Sequence, residues 1–282
     1  MTDLVSIAAD VEWPNSEAAE ATRERATASG RAGRLAELAE WLAGAQGHAP
    51  PTDFQRARIV VFGANACPDD VADLAGAGVR IVESPASAVP VTTETALAAG
   101  VAVADDEIDR GSDVLAVAVA GVDVPASILV SVLTNTEPVK VLPRGAGLSV
   151  REWMALAVEV RDGRRRAFAC RAEPGALLAS VTTTDLAAAT GFVLRAAARR
   201  TPTLLDGLGA AAAALVGNAV QPRAARWWRV ADSSPHPAHA LALAKLDQRP
   251  ILDQSIDPAD GTAAAIALTV LRAAIRTNSH DT

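Results

Sequence analysis

The stretch Thr203-Leu204-Leu205-Asp206-Gly207 decides the fold. An apolar run with β preference leads into an Asp-Gly turn, and an alanine-rich helical segment, residues 208–220, follows directly. A strand, a tight turn and a helix in this order form the βα unit of a doubly wound sheet. Ligands of such sheets collect at the carboxyl ends of the strands. The sequence therefore predicts an α/β protein with polar chemistry near Asp206.

Further βα units extend this pattern toward the N-terminus. Apolar runs predict strands at residues 58–62, 78–82 and 113–119, and a short strand at 140–142. Helices are expected from Thr92 or Thr93 as cap to about residue 109, at 125–133, and at 185–200. Strands that alternate with helices predict a mainly parallel sheet with helices on both faces, a Rossmann-like three-layer fold with right-handed crossovers.

The first fifty residues have a different pattern. Residues 16–46 mix charged residues and alanines, with Leu35, Leu38 and Leu42 at helical spacing, and the region of Gly30 and Gly33 interrupts them. The residues predict two helices, followed by a boundary at Pro50-Pro51. We expect residues 1–50 to pack as an accessory helical lobe and residues 51–282 to form the α/β domain with its C-terminal helix. The N- and C-terminal segments together would build the small lobe.

Composition excludes several functional classes. The chain of 282 residues is 50% hydrophobic, enough for a full core. Its net charge is −7 with scattered basic residues, and aromatics make up only 3%, which argues against nucleic-acid binding. Cys67 and Cys170 provide no disulfide framework, and no segment resembles a signal peptide or a membrane span. We expect a soluble cytoplasmic protein with no nucleic-acid or membrane partner.

Three polar turns of the C-terminal third carry carboxylates. They are Asp206-Gly207, residues 231–239, and the segment from Asp253 through Asp257 to Asp260-Gly261-Thr262. Lying between hydrophobic elements, they are expected to form one side of a pocket. His236 and His239 are spaced i, i+3, but no cysteine or third histidine is nearby, so we predict no metal site. A histidine bonded to backbone at a helix start is the favoured interpretation.

These turns resemble a known family, the nicotinate-nucleotide:dimethylbenzimidazole phosphoribosyltransferases of cobamide assembly. In outline the family reads Leu-Leu-Asp-Gly, Ser-x-Glu-x-Gly-His, Pro-Leu-Leu-Asp and Gly-Glu-Gly-Thr-Gly. The corresponding pieces here are Leu204-Leu205-Asp206-Gly207, residues 234–239, Pro250-Ile251-Leu252-Asp253 and Ala259-Asp260-Gly261-Thr262-Ala263. Their order and spacing match, and weaker similarity reaches back to residues 34–42.

The resemblance implies that Asp260 is the general base. The family's glutamate at this position takes the imidazole proton as the benzimidazole nitrogen attacks the ribosyl carbon of nicotinate mononucleotide. Aspartate is one methylene shorter, which withdraws the oxygen by about 1 to 1.5 Å. A displacement of that size can reduce the rate by about two orders of magnitude. The alternative is that Asp260 only caps the helix that begins near Thr262.

The resemblance also implies the substrate-binding residues. Pro143-Arg144-Gly145-Ala146-Gly147 stands where the family has Gly-x-Gly-Thr-Gly, whose backbone N–H groups hold the nucleotide phosphate. Arg144, Gly145 and Gly147 could still hold an anion, although a plain turn is the alternative because the threonine is Ala146 and the family's lysine is Leu156. Asp185 retains a carboxylate, more simply read as an N-cap. The other substrate-binding candidates are Asp206, Gly207, Ser234, His239, Gly261 and Thr262.

Two functional hypotheses follow. The first is a phosphoribosyltransferase with an altered pocket that takes nicotinate mononucleotide and an aromatic base, with no cofactor because the pyridinium leaving group is already activated. The second is a catalytically inactive paralogue that acts as a partner subunit or ligand-binding regulator. The connection between the first two strands, residues 67–78, lacks a family segment that contributes to the base-binding pocket, which favours the second. The retained Asp260-Gly261-Thr262 favours the first. Either would form a homodimer or a heterodimer with a related chain.

Overall fold

A computed structural model describes residues 3–64, 66–83, 91–144, 147–181, 183–257 and 259–279. Within them, five strands form one sheet in the order β2-β1-β3-β4-β5, and every neighbouring pair is parallel. The strands are β1 (Ala57–Phe62), β2 (Ala77–Val82), β3 (Val114–Val119), β4 (Thr203–Asp206) and β5 (Trp228–Val230). Because all strands point the same way, their carboxyl ends lie at one edge of the sheet.

The α-helices of the described part surround this sheet. They are α1 (Leu4–Ala8), α2 (Ser16–Ala28), α3 (Arg34–Gln46), α4 (Asp69–Leu74), α5 (Thr93–Asp109), α6 (Asp123–Leu133), α7 (Val150–Ala167), α8 (Pro174–Val181), α9 (Thr184–Ala198), α10 (Gly207–Val220), α11 (Pro237–Leu246) and α12 (Thr262–Ser279). No helix in this part of the chain has the length and apolar character needed to cross a membrane.

Side chains of the central strands alternate between two cores, as expected for strands covered on both faces. Val60, Leu115 and Leu205 join one core with α5, α6, α9 and α10, whereas Ile59, Ala116 and Leu204 join the other with α3, α4 and α12. The predicted three-layer arrangement of a parallel sheet between helices is confirmed. Strand β3, at the centre of the sheet, is buried at every position.

Most predicted elements have their expected places, but one predicted strand is absent and one observed strand was not predicted. The strand predicted at residues 140–142 is absent: Pro138–Lys140 forms a 3-10 helix and Val141 and Leu142 are buried in the turn after it. Pro138 fixes a turn-like backbone at the start of this segment. The apolar residues that follow pack into the core although they lie in a turn. Strand β5 was not predicted, because its few residues follow a 3-10 helix, Pro222–Trp227, without an apolar run.

The N-terminal segment contributes to both cores. The predicted break near Gly30 and Gly33 separates α2 from α3, which pack together, and α3 also packs on α12. Leu4 and Ile7 of α1 instead join the core formed with α9 and α10. The boundary near residue 50 stays a prediction.

Helices α5 and α9 approach each other closely through two glycines. A Cβ on Gly100 of α5 would overlap the Ala188 carbonyl, and a Cβ on Gly191 of α9 would overlap the Leu97 carbonyl. Glycine at both positions therefore lets the two backbones meet. In contrast, a Cβ on Gly175 of α8 would meet only Leu4 Cδ1, at 3.9 Å.

We expect Gly100→Ala to lower the free energy of unfolding by about 1 to 3 kcal/mol, since the added methyl forces the two helices apart. Gly175→Ala is the matched control, which should be neutral or stabilising by up to about 1 kcal/mol because alanine favours the helix. Urea unfolding followed by circular dichroism measures both. Equal midpoints for Gly100→Ala and the wild-type chain would contradict the close approach.

Candidate active site

The carboxyl ends of three strands and the start of α12 meet at one edge of the sheet. Ala118 of β3 pairs with Asp206 of β4, so the residues that follow these strands lie side by side. The loop after β1 reaches the same place, where the Cys67 amide donates to the Asp260 carbonyl at 2.7 Å. The polar turns that the sequence singles out at Asp206 and Asp260 are therefore close together.

Asp206 joins β4 to α12. It is 1% exposed, and its Oδ2 accepts a hydrogen bond from the Ala264 amide at 2.9 Å. Burial raises the pKa of Asp206 to about 7, and the Asp260 and Asp232 carboxylates add to the increase, while hydrogen bonds from the Ala264 and Gly261 amides oppose it. Because it is buried and bonded to backbone, Asp206 holds the edge together and is not free to contact a ligand.

Asp232 organises the next loop in the same way. It is 3% exposed; Oδ1 accepts from the Ser233 and Gln254 amides at 2.8 Å, and Oδ2 accepts from the Ile256 amide at 2.7 Å. Ser233 also donates its hydroxyl to Asp253 Oδ1 at 2.7 Å. These bonds hold the segment around residues 253–257 against the end of β5.

Two glycines shape the edge. Gly207 has φ of +75°, and a Cβ there would overlap the Ala259 side chain. Gly261 has φ of +99°, and a Cβ there would lie 2.6 Å from Ile59 Cγ2. Both positions need glycine for backbone conformation and for space. The Asp-Gly pairs thus bring the two loops into contact.

Asp260 lies half-buried beside the start of α12. Its Oδ1 accepts from the Thr262 amide at 2.9 Å, so the predicted cap is present. Oδ2 accepts no hydrogen bond from the described residues. The carboxylate can therefore cap the helix with one oxygen and meet a ligand with the other, and the two interpretations of Asp260 are compatible.

A cavity of about 150 Å³ opens between these loops. Its polar lining includes Asp260, Ser234, His236, Asp257 and Asp123. The apolar and backbone lining consists of Val119, Ala120, Gly121, Gly207, Leu208, Ile256 and Ala259. Of the predicted site residues, the structure thus brings Asp260, Gly207 and Ser234 together on one cavity.

The two histidines of the α11 turn differ in their environment. His236 caps α11: its Nδ1 accepts from the Ala238 amide at 3.3 Å, as expected for a histidine bonded to backbone at a helix start. In the neutral ring the hydrogen then lies on Nε2, by inference from this bond. His239 is 1% exposed, and burial, followed by His236, lowers its pKa to about 4. The described residues contain no cluster of histidine, cysteine and carboxylate side chains suited to a metal ion.

The other predicted residues lie apart from the cavity lining. Arg144 is exposed and borders a separate groove of about 340 Å³ with Leu148, Val150 and Trp153. Gly147 has φ of +76°, and Gly145 lies outside the described residues. Asp185 is in the first turn of α9, whose N-cap is Thr183, so the expected N-cap at Asp185 was wrong by two residues. Thr262 begins α12. Their roles stay predictions.

The lining also contains three ionisable residues to which sequence analysis gave no role in the site. Asp123 follows β3 closely, so the rule that marked Asp206 also applied to it, yet sequence analysis did not single it out. Asp257 and His236 lie in the polar turns that were expected to form one side of a pocket, and both line this cavity. None carried a motif of its own. Only the folded structure shows that all three face one cavity.

Comparison with known proteins places this edge in context. Residues 77–281 match the family model described as Phosphoribosyltransferase. The nicotinate-nucleotide–dimethylbenzimidazole phosphoribosyltransferases of Mycobacterium avium and Mycobacterium marinum are 38% and 37% identical to this chain over 95% of its length, and the matches cover 93% and 91% of those relatives. The chain belongs to this family.

A solved structure of the family agrees in fold. The crystal structure of nicotinate-nucleotide-dimethylbenzimidazole phosphoribosyltransferase from Thermus thermophilus superimposes with a TM-score of 0.80 at 24% identity, covering 95% of this chain and 97% of that one. The scaffold of this phosphoribosyltransferase family is therefore retained over almost the whole chain.

We expect Asp206 to make stability pH-dependent. Its pKa in the folded state, about 7, exceeds the ordinary value of 3.8. The contribution of the Asp206 proton to the free energy of unfolding is therefore fully present below about pH 4 and is lost as pH rises through 7. Between about pH 5 and about pH 8, the free energy of unfolding of the wild-type chain should fall by about 2 to 3 kcal/mol more than that of Asp206→Asn. Urea unfolding across this range measures the difference.

The control for this measurement is Asp247→Asn. Asp247 is exposed at the end of α11 with φ of 53°, a conformation that asparagine adopts readily. This variant should keep the wild-type pH profile. An identical pH profile for Asp206→Asn and the wild-type chain would show that the Asp206 proton plays no part.

Proposed function

We propose that this protein transfers the phosphoribosyl group of nicotinate mononucleotide to an aromatic base of the dimethylbenzimidazole type. The observation that carries the proposal is Asp260, whose carboxylate lines the cavity at the carboxyl edge of the sheet with one oxygen fixed and the other open. The activity named for the relatives supplies the two substrates. The alternative, an inactive paralogue, has no observation of its own in the structure.

The proposed reaction is a displacement at the ribosyl carbon. One imidazole-type nitrogen of the acceptor forms a bond to C1′, and the bond from C1′ to the pyridinium nitrogen breaks. The electron pair of the broken bond stays on that nitrogen, so nicotinate leaves with a neutral ring. The proton on the other acceptor nitrogen passes to Asp260. A carboxylate held by the Thr262 amide is positioned for this transfer, since a general base must lie within hydrogen-bonding reach of the proton.

The charges around the cavity suit this chemistry. Asp123, Asp257 and Asp260 line it, and carboxylates stabilise the positive charge that a pyridinium ring carries and a ribosyl carbon develops. The same carboxylates would repel a phosphate. We therefore propose that the phosphate lies toward Arg144 and the Gly147 backbone, outside the lined cavity.

The remaining site residues have contact or supporting roles in this proposal. Ser234 and Gly207 would contact the bound substrates inside the cavity, with Asp206, Gly261 and Thr262 supporting Asp260. His236 can donate from Nε2, and we propose that Asp185 and His239 position the neighbouring helices.

The partners and location belong to the same proposal. Val150, Met154 and Val158 form an exposed apolar stripe on one face of α7, and exposed apolar patches mark interaction surfaces. We propose that the chain pairs through a surface of this kind with a copy of itself or a related chain. Cys67 and Cys170 are both free, which fits work in the reducing cytoplasm.

Asp260→Asn should reduce kcat by at least about 100-fold, because the amide cannot accept the acceptor's proton. Nicotinate release from nicotinate mononucleotide in the presence of dimethylbenzimidazole measures this. The urea midpoint should stay unchanged, since asparagine caps a helix as well as aspartate does. Unchanged turnover in a folded variant would exclude Asp260 as the base.

Arg144→Gln should raise the Kd for nicotinate mononucleotide by about tenfold or more, because an arginine-phosphate hydrogen bond is charge-assisted. Calorimetric titration measures the affinity. Arg151→Gln, an exposed position in the first turn of α7, is the matched control and should bind as the wild-type chain does. Equal affinities for all three proteins would place the phosphate elsewhere.

A further inference from the structure

A second cleft lies between the N-terminal segment and the edge strand β5. Its volume is about 570 Å³, and Trp13, Arg34, Trp41, Arg226 and Arg229 are among the residues that line it. Arg226 precedes β5, whereas the candidate active site follows the carboxyl ends of the strands. The cleft is thus separate from the catalytic cavity, with which it shares no lining residue.

The carboxylates of this cleft already have partners. Glu37 pairs with Arg34 Nη1 at 2.8 Å, and Glu40 pairs with Arg23 Nη1 at 3.3 Å. Arg34 Nη2 donates to the Arg249 and Pro250 carbonyls, while its Nε is buried and has no acceptor. Among the described residues, neither Arg226 nor Arg229 forms an ion pair. Within the described residues, the cleft therefore contains two guanidinium groups without a direct ion pair, and Arg34 Nε is a buried donor without an acceptor.

The Arg229 side chain is fixed by stacking and by a hydrogen bond to backbone. On β5 its neighbours Trp228 and Val230 point into one core, so Arg229 points to the opposite face, toward α3. Its guanidinium stacks on the Trp41 ring at 4.8 Å from the centroid, and Nη1 donates to the Trp228 carbonyl at 2.8 Å. Burial, then the positive charges of Arg34 and Arg226, lowers the pKa of Arg229 to about 10, and the carboxylates of Glu40 and Glu37 partly oppose this decrease. It stays protonated at neutral pH, and an anion would relieve the repulsion.

Trp13 supplies an aromatic surface at the mouth of the cleft. Its side chain is 58% exposed, an unusual position for a large apolar ring, and Arg223 lies 5.9 Å from the ring centroid. Exposed indole rings stack on planar aromatic ligands. Guanidinium groups match phosphate oxygens with paired hydrogen bonds.

We propose that this cleft binds a mononucleotide, with its phosphate on Arg226 and Arg229 and its ring on Trp13. The ligand is a second one, bound at the amino-terminal side of β5, and it takes no part in the transfer reaction. The cleft is large enough for both the phosphate and the ring, because ligand pockets of this class span about 300 to 1,000 Å³.

The test is calorimetric titration of the full chain with AMP and, separately, with inorganic phosphate. AMP should bind the wild-type chain, and Arg226→Gln and Arg229→Gln should each weaken it by about tenfold or more. Trp13→Leu should weaken AMP and leave phosphate unchanged. Arg226 and Trp13 are exposed, so these two variants keep the test valid if Arg229→Gln fails to fold.

Two controls separate this cleft from the active site. Arg161→Gln removes an exposed arginine of α7, and Arg144→Gln alters the proposed phosphate position of the catalytic site; both should bind AMP as the wild-type chain does. No AMP binding at millimolar concentration would overturn the proposal, as would loss of binding in Arg144→Gln alone. A change of oligomeric state in Arg226→Gln, seen by sedimentation without AMP binding, would instead make the cleft a protein interface.

Discussion

The buried Asp206 carboxylate is the constraint on which the active-site edge depends. Asp206 is the last residue of β4, and its carboxylate accepts a hydrogen bond from the Ala264 amide at 2.9 Å. This bond attaches the start of α12 to β4. Asp260 lies beside this junction, where Asp206 and Gly207 determine how closely its loop can approach. The cost is a carboxylate in an apolar environment, visible as its pKa of about 7. Enzymes commonly retain such costly groups where geometry matters more than stability.

The changes that separate this chain from the family pattern are consistent with that geometry. Ala259 replaces a family glycine, and its methyl fits because residue 207 has no side chain. Ala263 replaces another and is buried at 1% exposure inside the core under α12. Asp260 in place of glutamate shortens the reach of the proposed base, yet one oxygen accepts the Thr262 amide and the other accepts no hydrogen bond from the described residues. The altered residues therefore keep the edge packed and leave an acidic cavity, which fits the proposed transferase better than an inactive scaffold.

Much of the fold could be predicted because long apolar strands and capped helices are local signals. The runs that became β1, β3 and β4 were clear, and Thr92 caps α5 as predicted. The strand predicted at residues 140–142 was wrong because Val141 and Leu142 are buried although they lie in a turn. Strand β5 was missed because its pairing with β4 is not local. In the site, Asp206, Gly207, Ser234 and Asp260 follow strands or carry motifs. His236 and Asp257 lie in turns that were expected to border a pocket, whereas Asp123 and the basic cleft at Arg229 could be found only from tertiary packing.

One measurement tests the central claim most directly: titration of the wild-type chain with nicotinate mononucleotide, alone and then with dimethylbenzimidazole, while nicotinate release is followed in the same samples. If the edge around Asp260 is a working site, the nucleotide binds alone, and nicotinate appears only after the acceptor is added, in equal amount to the ribosylated base. Absence of binding at millimolar nucleotide, or binding without release in the presence of acceptor, would contradict the account and leave a retained scaffold without its chemistry.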